Sequence, residues 1–175
     1  MADTFTKLYI QVVFATKMRT PSLHRSFRDR LFAYMGGILN GHDQIPLAIN
    51  GTADHVHVFF IYKPHILLSD LIRDVKRDSS SFINDHKLTK NTFRWQNSYG
   101  AFSYGSSQID RVIRYINNQE DHHRKKSFSE EVIDLLEHYD ASANPYGWIE
   151  WSCLGYGIIE LNKHHVNFFA WLRFY

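Results

Sequence analysis

The chain has 175 residues, 44% hydrophobic and 15% aromatic, which is enough to bury one core and excludes a disordered protein. Its formal net charge of +2 is too small to indicate nucleic-acid binding by itself, so any DNA surface must be a local basic patch. The single Cys153 excludes an internal disulfide and a cysteine zinc site, and the lack of a basic leader or long apolar run predicts a soluble, cytoplasmic protein.

The first half of the chain predicts three strands and one helix. Residues 8–16 are rich in β-branched and aromatic side chains, which favours a strand. The segment 21–41 starts with Pro-Ser, carries apolar residues at three- and four-residue spacing and ends at a glycine, as a helix does. Two more strands, at 44–49 and 54–62, flank the dipeptide Asn50-Gly51, which suits the positive φ angles of a tight hairpin.

The second half predicts further helices around one short strand. Ser69 can cap a helix whose apolar stripe ends at Ile83. A strand at 99–104 follows a polar loop, and helices are predicted at about 107–124 and 129–139.

The predicted element order is that of a known α+β fold. Strand, helix, strand, strand, helix, strand is the ferredoxin-like split βαβ unit, a four-stranded antiparallel sheet with two helices on one face. The helix at about 107–124, which carries Tyr115, is then a C-terminal addition to that unit. We expect one domain over residues 5–151, with an extension over 152–175 that has no predicted role.

A histidine pair marks the third predicted strand. His55 and His57 are separated by one hydrophobic residue, so both side chains project from the same face of the strand. An isolated pair of this kind is more often structural than metal-binding, and it carries little weight alone.

A tyrosine and a glutamine share one side of the predicted helix at 107–124. Tyr115 and Gln119 are four residues apart, and both flank the apolar stripe of that helix. Side chains that flank a core stripe can line a cleft beside the sheet, although partial burial is the commoner role of such a tyrosine.

Together these four side chains predict a metal-assisted nucleophile. Two imidazole nitrogens and one amide oxygen can hold a divalent ion and leave positions open for phosphodiester oxygens. The Tyr115 phenol, whose usual pKa is about 10, needs such an ion or a base before it attacks phosphorus well. We expect Mg²⁺ or Mn²⁺.

Two basic clusters are candidates for phosphate contacts or, equally, for ordinary solvated helix surfaces. Their members are Arg73, Lys76 and Arg77 in one cluster, and His122, His123 and Arg124 in the other. Three aromatic residues, Phe93, Trp95 and Tyr99, could stack on unpaired bases, pack in the core or meet a partner subunit.

Four sequence motifs give a more specific indication. They are Val-Phe-Ala-Thr-Lys at 13–17, Ala-Asp-His-Val-His at 53–57, Trp-Gln-Asn-Ser-Tyr-Gly-Ala-Phe-Ser at 95–103 and Tyr-Ile-Asn-Asn-Gln-Glu-Asp-His-His at 115–123. In order and spacing they resemble the single-tyrosine transposases of small bacterial insertion sequences, the IS200-like transposases with a His-hydrophobe-His motif. The resemblance covers about residues 5–151.

The resemblance implies a complete activity. Tyr115 would be the nucleophile, and His55, His57 and Gln119 would hold the divalent metal. The substrate would be single-stranded DNA near hairpin-bearing element ends, cleaved through a 5′-phosphotyrosine intermediate and rejoined by the reverse attack. The resemblance also implies a homodimer in which the tyrosine helix of one subunit can complete the metal site of the other.

Two alternatives remain open on the sequence alone. One is a domesticated enzyme that uses the same chemistry to process chromosomal palindromic repeats. The other is a non-catalytic nucleic-acid-binding module on the same ferredoxin-like sheet.

Overall fold

The computed structural model describes residues 5–123, 130–131 and 133–135. Four strands and four α-helices lie in the first of these ranges. In chain order they are β1 (Leu8–Ala15), α1 (Arg25–Gly41), β2 (Ile45–Gly51), β3 (His55–Tyr62), α2 (Leu68–Asp85), β4 (Gly100–Tyr104), α3 (Ile109–Asn117) and α4 (Gln119–His123).

The four strands form one antiparallel sheet in the order β2-β3-β1-β4. This is the strand order of the ferredoxin-like split βαβ unit, so the fold class predicted from the sequence is confirmed. The register places His57 opposite Val13 of β1 and Asn50 of β2. The histidine pair therefore lies on a central strand.

The two faces of the sheet carry different helices. Val56, Val58 and Phe60 of β3 point into the main core, which also contains apolar side chains of α1 and α2. The other face carries Phe59, against which Val112 and Ile116 of α3 are packed. The added helix that carries the tyrosine thus lies on the sheet face opposite α1 and α2.

Two of the three aromatic residues that could have stacked on bases belong to the core. Phe93 and Trp95 are buried, and Trp95 packs edge-on against Phe14. The Trp95 indole donates to Ser79 Oγ at 2.9 Å, which satisfies its buried N–H group. Tyr99 is partly buried against the same core.

Two predicted helix starts differ from the structure. The first helix begins at Arg25 instead of Pro21, because the Leu23 amide bonds to the Ala53 carbonyl and holds the preceding residues in a loop. The second helix begins at Leu68, so Ser69 lies inside its first turn and does not cap it. Tertiary contacts decide both starts, which residue preferences alone do not fix.

The predicted antiparallel pairing of β2 and β3 is confirmed, but the turn predicted at Asn50-Gly51 was misplaced. Both residues belong to β2, the turn lies at residues 52–54, and no described glycine has a positive φ angle. Gly51 is instead needed for a close approach, since a Cβ atom there would lie 2.2 Å from the His55 carbonyl oxygen. Glycine is required because the two backbones nearly touch.

The single helix predicted over 107–124 is two helices in the structure. The helix α3 ends at Asn117 and α4 begins at Gln119, with Asn118 between them. Tyr115 and Gln119 therefore lie on consecutive helices. Residues 130–131 and 133–135 are helical, in agreement with the predicted helix at 129–139. The rest of that helix and the extension 152–175 lie outside the described residues. No helix in the described ranges is long and apolar enough to cross a membrane.

Candidate metal and tyrosine site

The histidine pair lies on the sheet face that α3 covers. His55 and His57 are both fully buried, and their rings meet edge to face with centroids 5.3 Å apart. The two imidazoles thus share one face of β3, as the one-residue spacing predicted.

The His55 ring is oriented by the turn before β3. Its Nδ1 lies 2.8 Å from Asp54 Oδ1 and 2.8 Å from Thr52 Oγ1, and Arg19 pairs with the second Asp54 oxygen at 2.6 Å. Burial alone would raise the pKa of Asp54, but the hydrogen bond from His55 and the Arg19 charge hold that pKa well below its usual range. Burial lowers the pKa of His55. A neutral imidazole with Nδ1 engaged directs Nε2 towards a ligand.

The His57 ring is oriented by a buried glutamine on β1. Gln11 Nε2 lies 2.8 Å from His57 Nδ1, and the Tyr104 hydroxyl donates to Gln11 Oε1 at 2.7 Å. A rotation of the Gln11 amide by 180° exchanges its oxygen and nitrogen. The Tyr104 hydroxyl can donate or accept, so it can bond to Gln11 in either orientation. An ion on His57 Nε2 requires a proton on Nδ1, and hence the orientation in which Gln11 Oε1 accepts.

The structure brings Tyr115 and Gln119 to this pair within one chain. The half-buried Tyr115 ring meets the His57 ring edge to face, with centroids 5.9 Å apart. Gln119 is fully buried, and its Nε2 donates to Glu131 Oε1 at 3.1 Å. All four residues predicted as nucleophile and metal ligands therefore gather on one side of the sheet.

Two further side chains complete the cluster. His123 Nε2 lies 2.9 Å from Glu131 Oε2, and His57 Nε2 lies 3.3 Å from Glu131 Oε1. The sequence predicts that His123 contacts DNA, although its position four residues after Gln119, itself four residues after Tyr115, could have indicated the site. Glu131 was not predicted, and no local pattern marks it.

The donor set fits a divalent metal ion. Single donor atoms of four side chains, His55, His57, His123 and Glu131, all lie within 4.8 Å of one another. The amide oxygen of Gln119 and one carboxylate oxygen of Glu131 are buried and make no hydrogen bond to any described residue. Buried polar atoms are normally satisfied, so such atoms beside three imidazoles match a metal site.

The first basic cluster lies on α2, away from the histidines. Arg73 and Arg77 are exposed and form ion pairs with acidic neighbours on the same helix. Lys76 instead donates to three loop carbonyls, those of Gln96, Asn97 and Ser98, at 3.0, 3.2 and 2.8 Å. Its ammonium group therefore fastens the loop before β4.

The second basic cluster is only partly described. His123 belongs to the metal and tyrosine site, whereas Arg124 and the His122 side chain lie outside the described part of the chain. Their predicted DNA contacts stay predictions.

Polar contacts fasten α3 and α4 to the rest of the domain. Asn50 Nδ2 donates to the carbonyls of Ile116 and Asn117, at the end of α3, at 3.0 and 2.9 Å. The buried Arg28 guanidinium donates to Glu120 Oε1 at 2.8 Å. These contacts, which we call the helix latch (Arg28, Asn50 and Glu120), hold the tyrosine helix on its own sheet.

The sequence profile of the family described as "Transposase IS200 like" matches residues 4–119, more than half of the chain. The chain belongs to the IS200-like transposase family. Membership assigns this transposase a DNA transposase activity. No curated protein matches the sequence significantly.

Solved structures share the fold of this transposase. One is a candidate transposase from Deinococcus radiodurans R1, 21% identical, with a TM-score of 0.54, in a match that covers 68% of this chain and 95% of the other. Another is a REP-associated tyrosine transposase bound to a REP hairpin, 12% identical, with a TM-score of 0.52 and coverage of 70% and 73%.

Proposed function

We propose that this transposase cleaves and rejoins single-stranded DNA at hairpin-bearing element ends, with Tyr115 as the nucleophile. The observation that carries the proposal is the position of the Tyr115 ring, edge-on against a buried histidine of the candidate metal site. A phenol beside a divalent ion is a competent nucleophile, whereas an isolated phenol with a pKa near its usual value is a poor one at neutral pH.

The proposed step exchanges one phosphodiester bond for another. The Tyr115 oxygen attacks the phosphorus, the bond from phosphorus to the 3′ oxygen breaks, and a 5′-phosphotyrosine and a free 3′-hydroxyl result. Rejoining is the reverse attack by a 3′-hydroxyl, which needs no external energy because the bond types are conserved.

The metal ligands of the proposal are His55, His57 and Gln119, with Mg²⁺ or Mn²⁺ as the ion. When bound, the ion polarises the scissile phosphate and favours the phenolate. The protein residues orient these groups: the partners of each Nδ1 atom direct both imidazoles, and the helix latch positions the tyrosine.

A covalent adduct tests the nucleophile. Purified protein with Mn²⁺ and single-stranded DNA from hairpin-forming sequences flanking the gene should give an adduct that Tyr115→Phe abolishes. Tyr34→Phe, which changes an exposed tyrosine on α1, should leave the adduct intact. If none of these DNAs yields an adduct, the proposal is wrong and the non-catalytic nucleic-acid-binding module replaces it. Flanks that lack an element's paired ends would favour the domesticated enzyme.

Separate experiments distinguish metal use from DNA binding. His55→Ala should reduce cleavage by orders of magnitude while hairpin binding remains, because binding depends on basic and stacking contacts. For the DNA surface we propose Arg73, Arg77, His122 and Arg124. Lys76 and His123, which the sequence also predicts there, bind the loop before β4 and lie at the metal and tyrosine site, respectively. Arg73→Ala or Arg77→Ala should weaken binding and reduce its salt dependence in a salt titration.

The homodimer with shared sites also belongs to the proposal, and mixed variants test it. In the single chain, Tyr115 already lies against its own His57. A mixture of His57→Ala and Tyr115→Phe subunits regains one intact site only if tyrosine and histidines come from different subunits. Restored cleavage supports shared sites, and continued inactivity of a mixed dimer assigns each tyrosine to its own subunit.

A further inference from the structure

The Glu131 carboxylate is buried among three imidazoles. Only 2% of the residue is exposed, and its oxygens lie 2.9 Å from His123 Nε2, 3.3 Å from His57 Nε2 and 3.8 Å from His55 Nε2. A carboxylate this deeply buried is normally paired with a charge or coordinated to a metal. The position of Glu131 in the sequence, after the helix that carries Tyr115, does not by itself explain why its carboxylate is buried.

Only one of the two Glu131 carboxylate oxygens accepts a hydrogen bond from the described residues. Glu131 Oε1 accepts from Gln119 Nε2 at 3.1 Å. Glu131 Oε2, although 2.9 Å from His123 Nε2, makes no hydrogen bond of suitable geometry to the described residues. The Nδ1 atoms of His55 and His57 are held by other side chains, so their Nε2 atoms face Glu131. Ligand atoms converge in this way around a common centre.

We propose that His123 and Glu131 are two further ligands of the ion, beside His55, His57 and Gln119. The inference rests on the proposed metal-dependent function and extends its ligand set. A third imidazole favours a first-row transition ion over Mg²⁺, which prefers oxygen ligands, so of the two ions proposed Mn²⁺ suits the enlarged set better.

Two consequences follow from this ligand set. Glu131 cancels one of the two positive charges of the ion, whereas His55, His57 and Gln119 are neutral ligands that cancel none. An ion held by this set would link β3 to α4 and to the segment that contains Glu131, so metal binding would stabilise the position of α4 against the sheet.

Direct metal binding by the full chain tests the proposal. Mn²⁺ affinity is measured by calorimetry, and the Mn²⁺-induced rise in unfolding temperature is followed in parallel. Glu131→Ala and His123→Ala should each weaken Mn²⁺ binding at least about tenfold, with Glu131→Gln intermediate because its amide oxygen can still coordinate. Glu130→Gln, at the exposed neighbouring carboxylate, should bind as the unchanged protein does.

One result of the metal-binding experiment would contradict the ligand assignment. If Glu131→Ala and Glu131→Gln bind Mn²⁺ as the unchanged protein does and only lower the unfolding temperature without metal, Glu131 is a structural partner of the imidazoles and the proposal is wrong. A Tyr115 adduct at saturating Mn²⁺ separates this outcome from failure of the proposed function. Weakened Mn²⁺ binding in the variants without any adduct in the unchanged protein would refute the function and leave the ligand assignment standing.

Discussion

Arg28 of α1 reaches Glu120 of α4, 92 residues along the chain, and donates to its Oε1 at 2.8 Å. The Arg28 side chain is only 8% exposed and also donates to the Gly51 carbonyl at 3.1 Å. One guanidinium group therefore connects the first helix, the end of β2 and the residue after Gln119. Asn50 holds the end of α3, so the backbone is fastened to the domain on both sides of the candidate ligand Gln119.

Removal of the Glu120 carboxylate should loosen the tyrosine helix. Glu120→Ala leaves a buried guanidinium with one acceptor fewer, which should cost about 1–3 kcal/mol of unfolding free energy. Hydrogen exchange should rise in α3 and α4 and little elsewhere. Asp110→Ala, at an exposed carboxylate on α3, should cost below about 1 kcal/mol. Equal effects of the two variants in urea unfolding would contradict the latch.

A methyl group at Gly51 should distort the site as well as the fold. Gly51→Ala places a Cβ atom 2.2 Å from the His55 carbonyl oxygen, so the β2-β3 pair must shift, at a cost of about 1–3 kcal/mol or more. His55 moves with it, and Mn²⁺ affinity should fall.

The control for Gly51 is Gly37→Ala on α1, where an added Cβ atom meets nothing within 4 Å. Alanine there should stabilise the helix by roughly 0.5–1 kcal/mol. The unfolding temperatures of the two variants should move in opposite directions, and only Gly51→Ala should lower Mn²⁺ affinity. An unchanged unfolding temperature in Gly51→Ala would show that β2 and β3 do not approach as described.

Gln11 should support metal binding without touching the ion. Gln11→Leu removes the side chain that faces His57 Nδ1 at 2.8 Å, and loss of such an orienting partner typically weakens metal affinity about 10–100-fold. Gln44→Leu is the matched control, because Gln44 is also buried but bonds to loop carbonyls outside the site. Gln44→Leu should lower stability and leave Mn²⁺ affinity unchanged. The same Mn²⁺ affinity in both variants would show that Gln11 does not orient His57.

Lys76 should give the protein a characteristic pH dependence. Burial lowers the pKa of Lys76 from 10.5 to about 8. Between those pH values the unfolded chain holds a proton that the folded chain has released. The contribution of Lys76 to the unfolding free energy therefore increases as pH rises. The unfolding free energy of the unchanged protein minus that of Lys76→Met should therefore increase from pH 8 to pH 10.

Urea unfolding across that pH range measures the Lys76 effect. The control is Lys90→Met, at an exposed lysine, for which the difference from the unchanged protein should stay constant with pH. A flat profile for Lys76→Met would mean that the ammonium group is not buried under the loop before β4.

Local patterns in the sequence predicted much of the fold. The alternation along residues 55–62 placed both histidines on one sheet face, and the element order gave the sheet topology that the structure has. Such predictions succeed because the side-chain periods of strands and helices are properties of the backbone itself. The same patterns misplaced the hairpin at Gly51 and the start of α1, since contacts between distant residues decide both.

The sequence by itself determined that His55, His57, Tyr115 and Gln119 could meet, because the spacing within each pair puts both side chains on one side of a predicted element. The structure keeps the histidines on one strand and divides the predicted helix between Tyr115 on α3 and Gln119 on α4. Only the tertiary structure decided that α3 covers the histidine face of its own sheet and that Arg28 and Asn50 hold it there. It also decided that Lys76 donates hydrogen bonds to the loop before β4. It alone brought Glu131 to the three imidazoles. Backbone geometry sets the direction of a side chain over a few residues, whereas the meeting of distant segments depends on which surfaces the whole chain buries together.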